Sequence, residues 1–128
     1  MGVSERKFGT LPTGEEIKIY HLENKSGAYA EVLSFGAILA KICVPDKTGE
    51  LRDVVLGYDD IEGYEVNGCF FGAIIGRSGN RIENARFFID DKEVVLAENE
   101  NHNNLHSGPN GFEKKLWEVK EISQEKNS

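Results

Sequence analysis

The feature that most constrains this chain is the period of its apolar residues. No stretch is long enough, at about eleven residues or more, to keep apolar positions at a 3.6-residue spacing, whereas alternating and short continuous apolar runs recur along the sequence. Such a pattern predicts strands. "EEIKIYHL" alternates apolar residues such as Ile17 and Tyr20 with charge, "GAYAEVLSF" follows the turn residues "NKSG", and "GAILAKICV" reads as a more fully buried strand. "PDKTGE" breaks the chain before "LRDVVLGY", and "CFFGAIIG" is apolar throughout, as expected of a strand covered on both faces. "ARFFIDDKEVVLA" predicts a hairpin with Asp90 and Asp91 at its tip, and "LWEVKEI" closes the pattern as a further strand with Trp117 in the core. The reading is all-β, an antiparallel β-sandwich.

With 128 residues the chain suits one domain over 1–128, with "SQEKNS" (123–128) as a tail. Apolar residues make up 39%, including seven Phe, four Tyr and one Trp, which excludes a disordered chain. No apolar run approaches the ~18 residues of a spanning helix, and no apolar block follows the charges of "MGVSERKFGTLPTGEE", so neither a membrane span nor a signal peptide is expected. Arg6 stands where a myristoylation signal would carry Ser or Thr. A cytoplasmic location follows as the default, and "NKS" at Asn24 then carries no glycosylation meaning. Cys43 and Cys69 have neither metal-ligand nor CxxC spacing and read as buried, reduced thiols. With 22 acidic and 15 basic residues, the net charge of -7 repels nucleic acid and anionic membranes, and neither is an expected partner.

Against that acidic background, "GRSGNRIENARFFIDD" (76–91) crowds three arginines into one stretch. Arg77 and Arg81 lie four apart, and the flanking Gly76 and Gly79 permit a bend, so a guanidinium with its five fixed donors can be aimed into a cleft. They serve equally well as solvated or ion-paired loop residues. Neither a Walker loop nor GxGxxG occurs. Further on, the eighteen-residue polar stretch "ENENHNNLHSGPNGFEKK" holds two of the three histidines, and a loop of that length tends to be functional or disordered. His102 and His106, with Asn99, Asn101, Asn103 and Asn104, offer paired donors and acceptors suited to a polyhydroxylated ligand rather than a metal, because two histidines spaced i, i+4 chelate zinc from a helix and this loop is no helix. An exposed loop residue is the competing account of His102. The carboxylates Asp59, Asp60, Glu62 and Glu65 of "LGYDDIEGYE" read as a solvated loop rather than as an acid/base pair.

Taken in order, "DVVLGYDDIEGY" and "FFGAIIGRSGNRIENARFFIDDKEVVLAENENHNNLHSGPNGFEKKLW" resemble the N-terminal portion of the aldose 1-epimerase family, the galactose mutarotases. The shared pattern is a DVVLGYD-type segment, a G-x-x-x-GR-x-x-NRI loop, an A-x-F hairpin, N-x-LHGG-x-x-GF and a Trp, covering the chain from about Phe8 to Trp117. Two positions depart from it: Ser107 replaces the second glycine after the histidine, and Asp91 replaces a glycine at the hairpin tip.

The resemblance implies a large antiparallel β-sandwich, incomplete in this chain. It also implies an isomerase that interconverts the α and β anomers of aldohexoses such as glucose and galactose, without metal or organic cofactor. Carried over, Asn80 and Arg81 contact sugar hydroxyls, and His106 hydrogen-bonds the sugar close to the reacting centre, as a supporting group and not as the acid or base. The family's glutamate base and histidine acid lie in the later part of its longer chains and have no counterpart before Ser128. Three expectations follow: a mutarotase fragment, a non-catalytic sugar-binding module, or an interaction half-domain. A sandwich cut partway exposes strand edges, which favours self-association or pairing with a separate C-terminal segment.

Overall fold

A computed structural model describes residues 2–123 of the chain; the expected tail beyond Ser123 lies outside the described residues. The chain divides into two compact units, one from the residues up to Ala73 together with those from Leu116 onward, the other from Ile74–Lys115. Strands dominate both, and every pairing is antiparallel.

The first unit is a five-stranded meander, β1 (Gly2–Thr10), β2 (Glu16–Glu23), β3 (Tyr29–Leu33), β4 (Leu39–Pro45) and β5 (Leu51–Asp53), in sequential order. Its turns use one device twice. Asn24 Oδ1 accepts from the backbone N–H of Ser26 and Ala28 at 2.9 and 3.1 Å, and Asp46 Oδ1 accepts from those of Thr48 and Glu50 at 2.7 and 3.1 Å. Ile17 and Ile19 of β2 bury one face, where they meet Leu33, Phe35, Ile38 and Ala40. A short helix, α1 (Ile61–Val66), closes this core with Ile61 and Tyr64, a spacing of three that puts both on one side. Asp60 caps its start by accepting from Gly63 N at 2.9 Å, so the acidic stretch read as a plain loop contains a helix. Gly9 of β1 is where the helix presses closest: a Cβ there would lie 2.7 Å from Ile61 Cγ2.

Several readings change. β1 is the longest strand, yet its alternation is too weak to announce it in the sequence. "CFFGAIIG" forms no strand, because Phe70 and Gly72 take φ of 56° and 63°, and Gly72 packs where a Cβ would sit 2.1 Å from the Leu39 carbonyl oxygen. "LWEVKEI" makes only an isolated bridge, Leu116 to Phe35, and Trp117 remains 42% exposed rather than entering the core. Cys43 is buried as expected, but Cys69 is exposed.

The second unit consists of two short pairs. β6 (Arg81–Ile82) pairs with β9 (Asn104–Leu105), and β7 (Arg86–Ile89) pairs with β8 (Lys92–Val95). The predicted hairpin is present: Ile89 faces Lys92 across Asp90 and Asp91, with φ of 52° at Asp90. Ala85, 1% exposed, anchors the hairpin's return by accepting from Leu96 N at 2.8 Å.

Candidate functional site

The β6–β9 pairing sets Arg81 opposite Leu105 and Ile82 opposite Asn104, and so joins the arginine loop to the histidine loop. One residue beyond this ladder, Asn80 and His106 face each other. Asn80 N–H donates to His106 Nδ1 at 2.9 Å, and His106 N–H donates to the Asn80 carbonyl at 2.9 Å. A neutral imidazole that accepts at Nδ1 carries its proton on Nε2, which makes Nε2 the donor of the ring. Both residues hold left-handed backbone, with φ of 60° at Asn80 and 53° at His106. Asparagine and histidine enter that conformation more readily than most residues other than glycine, and the reciprocal hydrogen bonds hold both in it.

Ser107, with φ of 72°, stands where the resemblance would place a glycine. Its hydroxyl accepts from Ser78 N at 2.7 Å and donates to Ser78 O at 3.0 Å, a second reciprocal tie between the two loops. This link was invisible in the sequence, since a serine in a turn carries no signal of its partner 29 positions away.

Arg81 is half exposed and ion-paired in fork geometry: Nε and Nη2 donate to Glu100 Oε2 and Oε1 at 3.1 and 3.0 Å. Nη1 donates to Asn80 Oδ1 at 3.3 Å. The hydrogen bonds and then the charge of Glu100 raise the Arg81 pKa further; Arg81 first, then the Asn103 amide, hold the Glu100 carboxyl below the usual carboxylate range. Glu100 is the residue that sequence reasoning missed: it lies inside the polar stretch, 19 residues from the arginine it orients.

The asparagines of that stretch are spent on architecture. Asn99 pairs both its amide ends with Leu105, accepting from its N–H at 2.7 Å and donating to its carbonyl at 3.0 Å. Asn103 Oδ1 accepts from Asn84 N at 3.2 Å, and Asn104 donates to Ala97 O at 2.8 Å from a position only 2% exposed. These side chains replace the backbone partners that a two-residue strand lacks, which leaves them engaged with the loop rather than directed at a ligand. His102 bonds Glu98 at 3.0 Å with 85% of its side chain exposed, away from the Asn80–His106 pair's hydrogen bonds. Among the described residues no three His, Cys, Asp or Glu side chains group as metal ligands, and no helix is long and apolar enough to cross a membrane.

The sequence profile of the aldose 1-epimerase family matches residues 18–128. The chain is 37% identical to the galactose mutarotase of Bos taurus over 124 residues, which is 96% of this chain and 36% of that protein. It is 35% identical to the aldose 1-epimerase of Escherichia coli over 108 residues, 84% of this chain and 31% of that protein. A crystal structure of a GalM/aldose epimerase homologue from C. elegans superposes with a TM-score of 0.78 at 39% identity, over 82% of this chain and 32% of that one. The galactose 1-epimerase structure from Lactobacillus acidophilus shares the fold at a TM-score of 0.74 and 24% identity, over 91% of this chain and 33% of that one. The chain spans about a third of the length of the relatives it matches. Its antiparallel strands, its loop geometry and these likenesses agree, and the chain belongs to the aldose 1-epimerase family.

Proposed function

We propose that this chain supplies the sugar-binding part of an aldose 1-epimerase site, with Asn80, Arg81 and His106 holding an aldohexose such as galactose or glucose. The observation that carries the reading is the double hydrogen bond between Asn80 and His106, which fixes the imidazole with Nε2 as donor, while Asn80 also accepts from the guanidinium that Glu100 orients. Glu100 takes two of the five Arg81 donors and Asn80 Oδ1 takes a third, so two remain for sugar oxygens. Donors whose directions are set before the ligand arrives lose little freedom on binding it.

Mutarotation needs a base that removes the proton of the C1 hydroxyl and an acid that protonates the ring oxygen. The C1–O5 bond then breaks, the aldehyde rotates about C1–C2, and the reverse transfers close the other anomer. In this reading the two proton-transfer groups come from polypeptide that the relatives carry beyond the matched third, while His106 and Arg81 steady the oxygens on which charge develops. The exposed apolar residues of the β7–β8 hairpin, Phe88, Ile89 and Val95, support completion by such a stretch.

Polarimetry tests the division of labour. The 128-residue chain alone should leave the equilibration of α-galactose at its spontaneous rate; an acceleration that survives His106→Ala would overturn the proposal.

A further inference from the structure

Five arginines occur in the chain, and four of them have carboxylate partners: Arg6 with Glu31 at 3.5 Å, Arg52 with Glu50 at 2.6 Å, Arg81 with Glu100 at 3.0 Å and Arg86 with Glu93 at 3.3 Å. Arg77 is the exception; among the described residues no carboxylate pairs with it, although acidic residues outnumber basic ones by 22 to 15. Its guanidinium instead lies 5.7 Å from the centre of the Phe112 ring. It lines a cavity of about 500 Å³ in the second unit, where Lys115 adds a second cation and Phe87, Leu96 and Phe112 supply apolar wall. Phe112 is fixed in that wall by close packing, since a Cβ on Gly76 would lie 2.3 Å from its ring.

An anion alone would satisfy Arg77 and Lys115, but it brings nothing to cover the rings. A stretch of polypeptide brings both a carboxylate side chain and apolar neighbours. We infer that this cavity is a socket for an acidic side chain on the polypeptide that completes the fold, with Arg77 as its main anchor. The inference rests on the preceding reading that such a complement exists, and two findings favour it as the occupant. The relatives extend to about three times the length matched here, and the hairpin that supplies Phe87 carries Ile89 two residues further along the same face, 58% exposed. The charge is complementary in the required sense: the socket is cationic within a chain of net charge -7.

The test mixes the 128-residue chain with the part of the bovine galactose mutarotase that follows its matched stretch, and follows binding by calorimetry and sedimentation. A one-to-one complex is expected, weakened about tenfold or more by Arg77→Glu, less by Arg77→Lys, and unchanged by Arg52→Glu, which makes the same charge change elsewhere. Arg77→Gln, compared with wild type across a salt series, serves if Arg77→Glu does not fold: salt should weaken the wild-type complex and leave the Gln complex nearly unaffected. Failure to form a complex, a complex indifferent to Arg77, or Arg77-dependent binding of galacturonate that the complement does not displace would each overturn the inference. Arg81→Ala keeps the two readings apart, since it should abolish galactose binding and leave the complex intact.

Discussion

Asn80 and His106 are tied in both directions, each giving its backbone N–H to the other, one to a ring nitrogen and one to a carbonyl, both at 2.9 Å. The residues are 26 apart in sequence and belong to separate loops, so the position of the imidazole depends on the joint between them. His106→Ala removes the ring but leaves an exposed Asn80 N–H that water can satisfy. The fold should lose no more than about 1 kcal/mol in denaturant unfolding, while galactose affinity measured by calorimetry should fall about fivefold to tenfold.

Glu100 makes the site dependent on pH from the acid side. Its carboxyl is held below the ordinary range, chiefly by Arg81, so the folded loop binds a proton less readily than the unfolded chain. The contribution is complete above the usual carboxylate value of about 4.3 and is lost as pH falls through the lowered folded value. Amide protection factors in residues 99–105, corrected for the intrinsic pH dependence of exchange, should therefore stay constant from neutral pH down to the carboxylate range and then fall. Glu100→Gln should lower them at every pH, and an unchanged profile in that variant would contradict the assignment.

Asn99 substitutes for a β-strand neighbour, satisfying both backbone groups of Leu105. Asn99→Ala leaves those groups to water at an exposed site, at a cost of about 1 kcal/mol. The expected signature is local: faster exchange of the Leu105 and His106 amides, with the β1–β5 sheet unaffected. Uniform destabilisation of the sheet would contradict the role given to Asn99.

Ser107→Gly sets two effects of similar size against each other. It removes two hydrogen bonds to Ser78, worth about 1 kcal/mol each, and it relieves a serine at φ of 72°, a relief of about 1–2 kcal/mol. Stability should change by less than about 1 kcal/mol, yet the Ser78 amide should exchange faster because its acceptor is gone. Slow exchange at Ser78 in the glycine variant would show that the hydroxyl is dispensable to the joint.

The parts legible in the sequence were those governed by short-range pattern. The alternation within "EEIKIYHL" marked β2, and the acidic pair Asp90–Asp91 marked the tip of a hairpin that the structure contains, with Ile89 opposite Lys92. "CFFGAIIG" deceived because apolarity says nothing of φ: Phe70 and Gly72 are both left-handed, and Gly72 packs closely on Leu39. α1 is six residues long, too short to show a helical period, and what marks it is the cap at Asp60. In the site, Asn80, Arg81 and His106 were named from the sequence, and the structure brings them together. Glu100 and Ser107 were not, because each acts through a partner 19 or 29 residues away, at a distance no local pattern encodes.

The central claim is that Arg81 and His106 hold a sugar, and titrating galactose into the 128-residue chain by calorimetry tests it most directly. Binding should be measurable with wild type and lost with Arg81→Ala, a variant whose circular dichroism should match wild type because the residue is exposed at the end of a two-residue strand. Heat of binding that Arg81→Ala leaves unchanged, or no binding by a correctly folded wild-type chain, would contradict it.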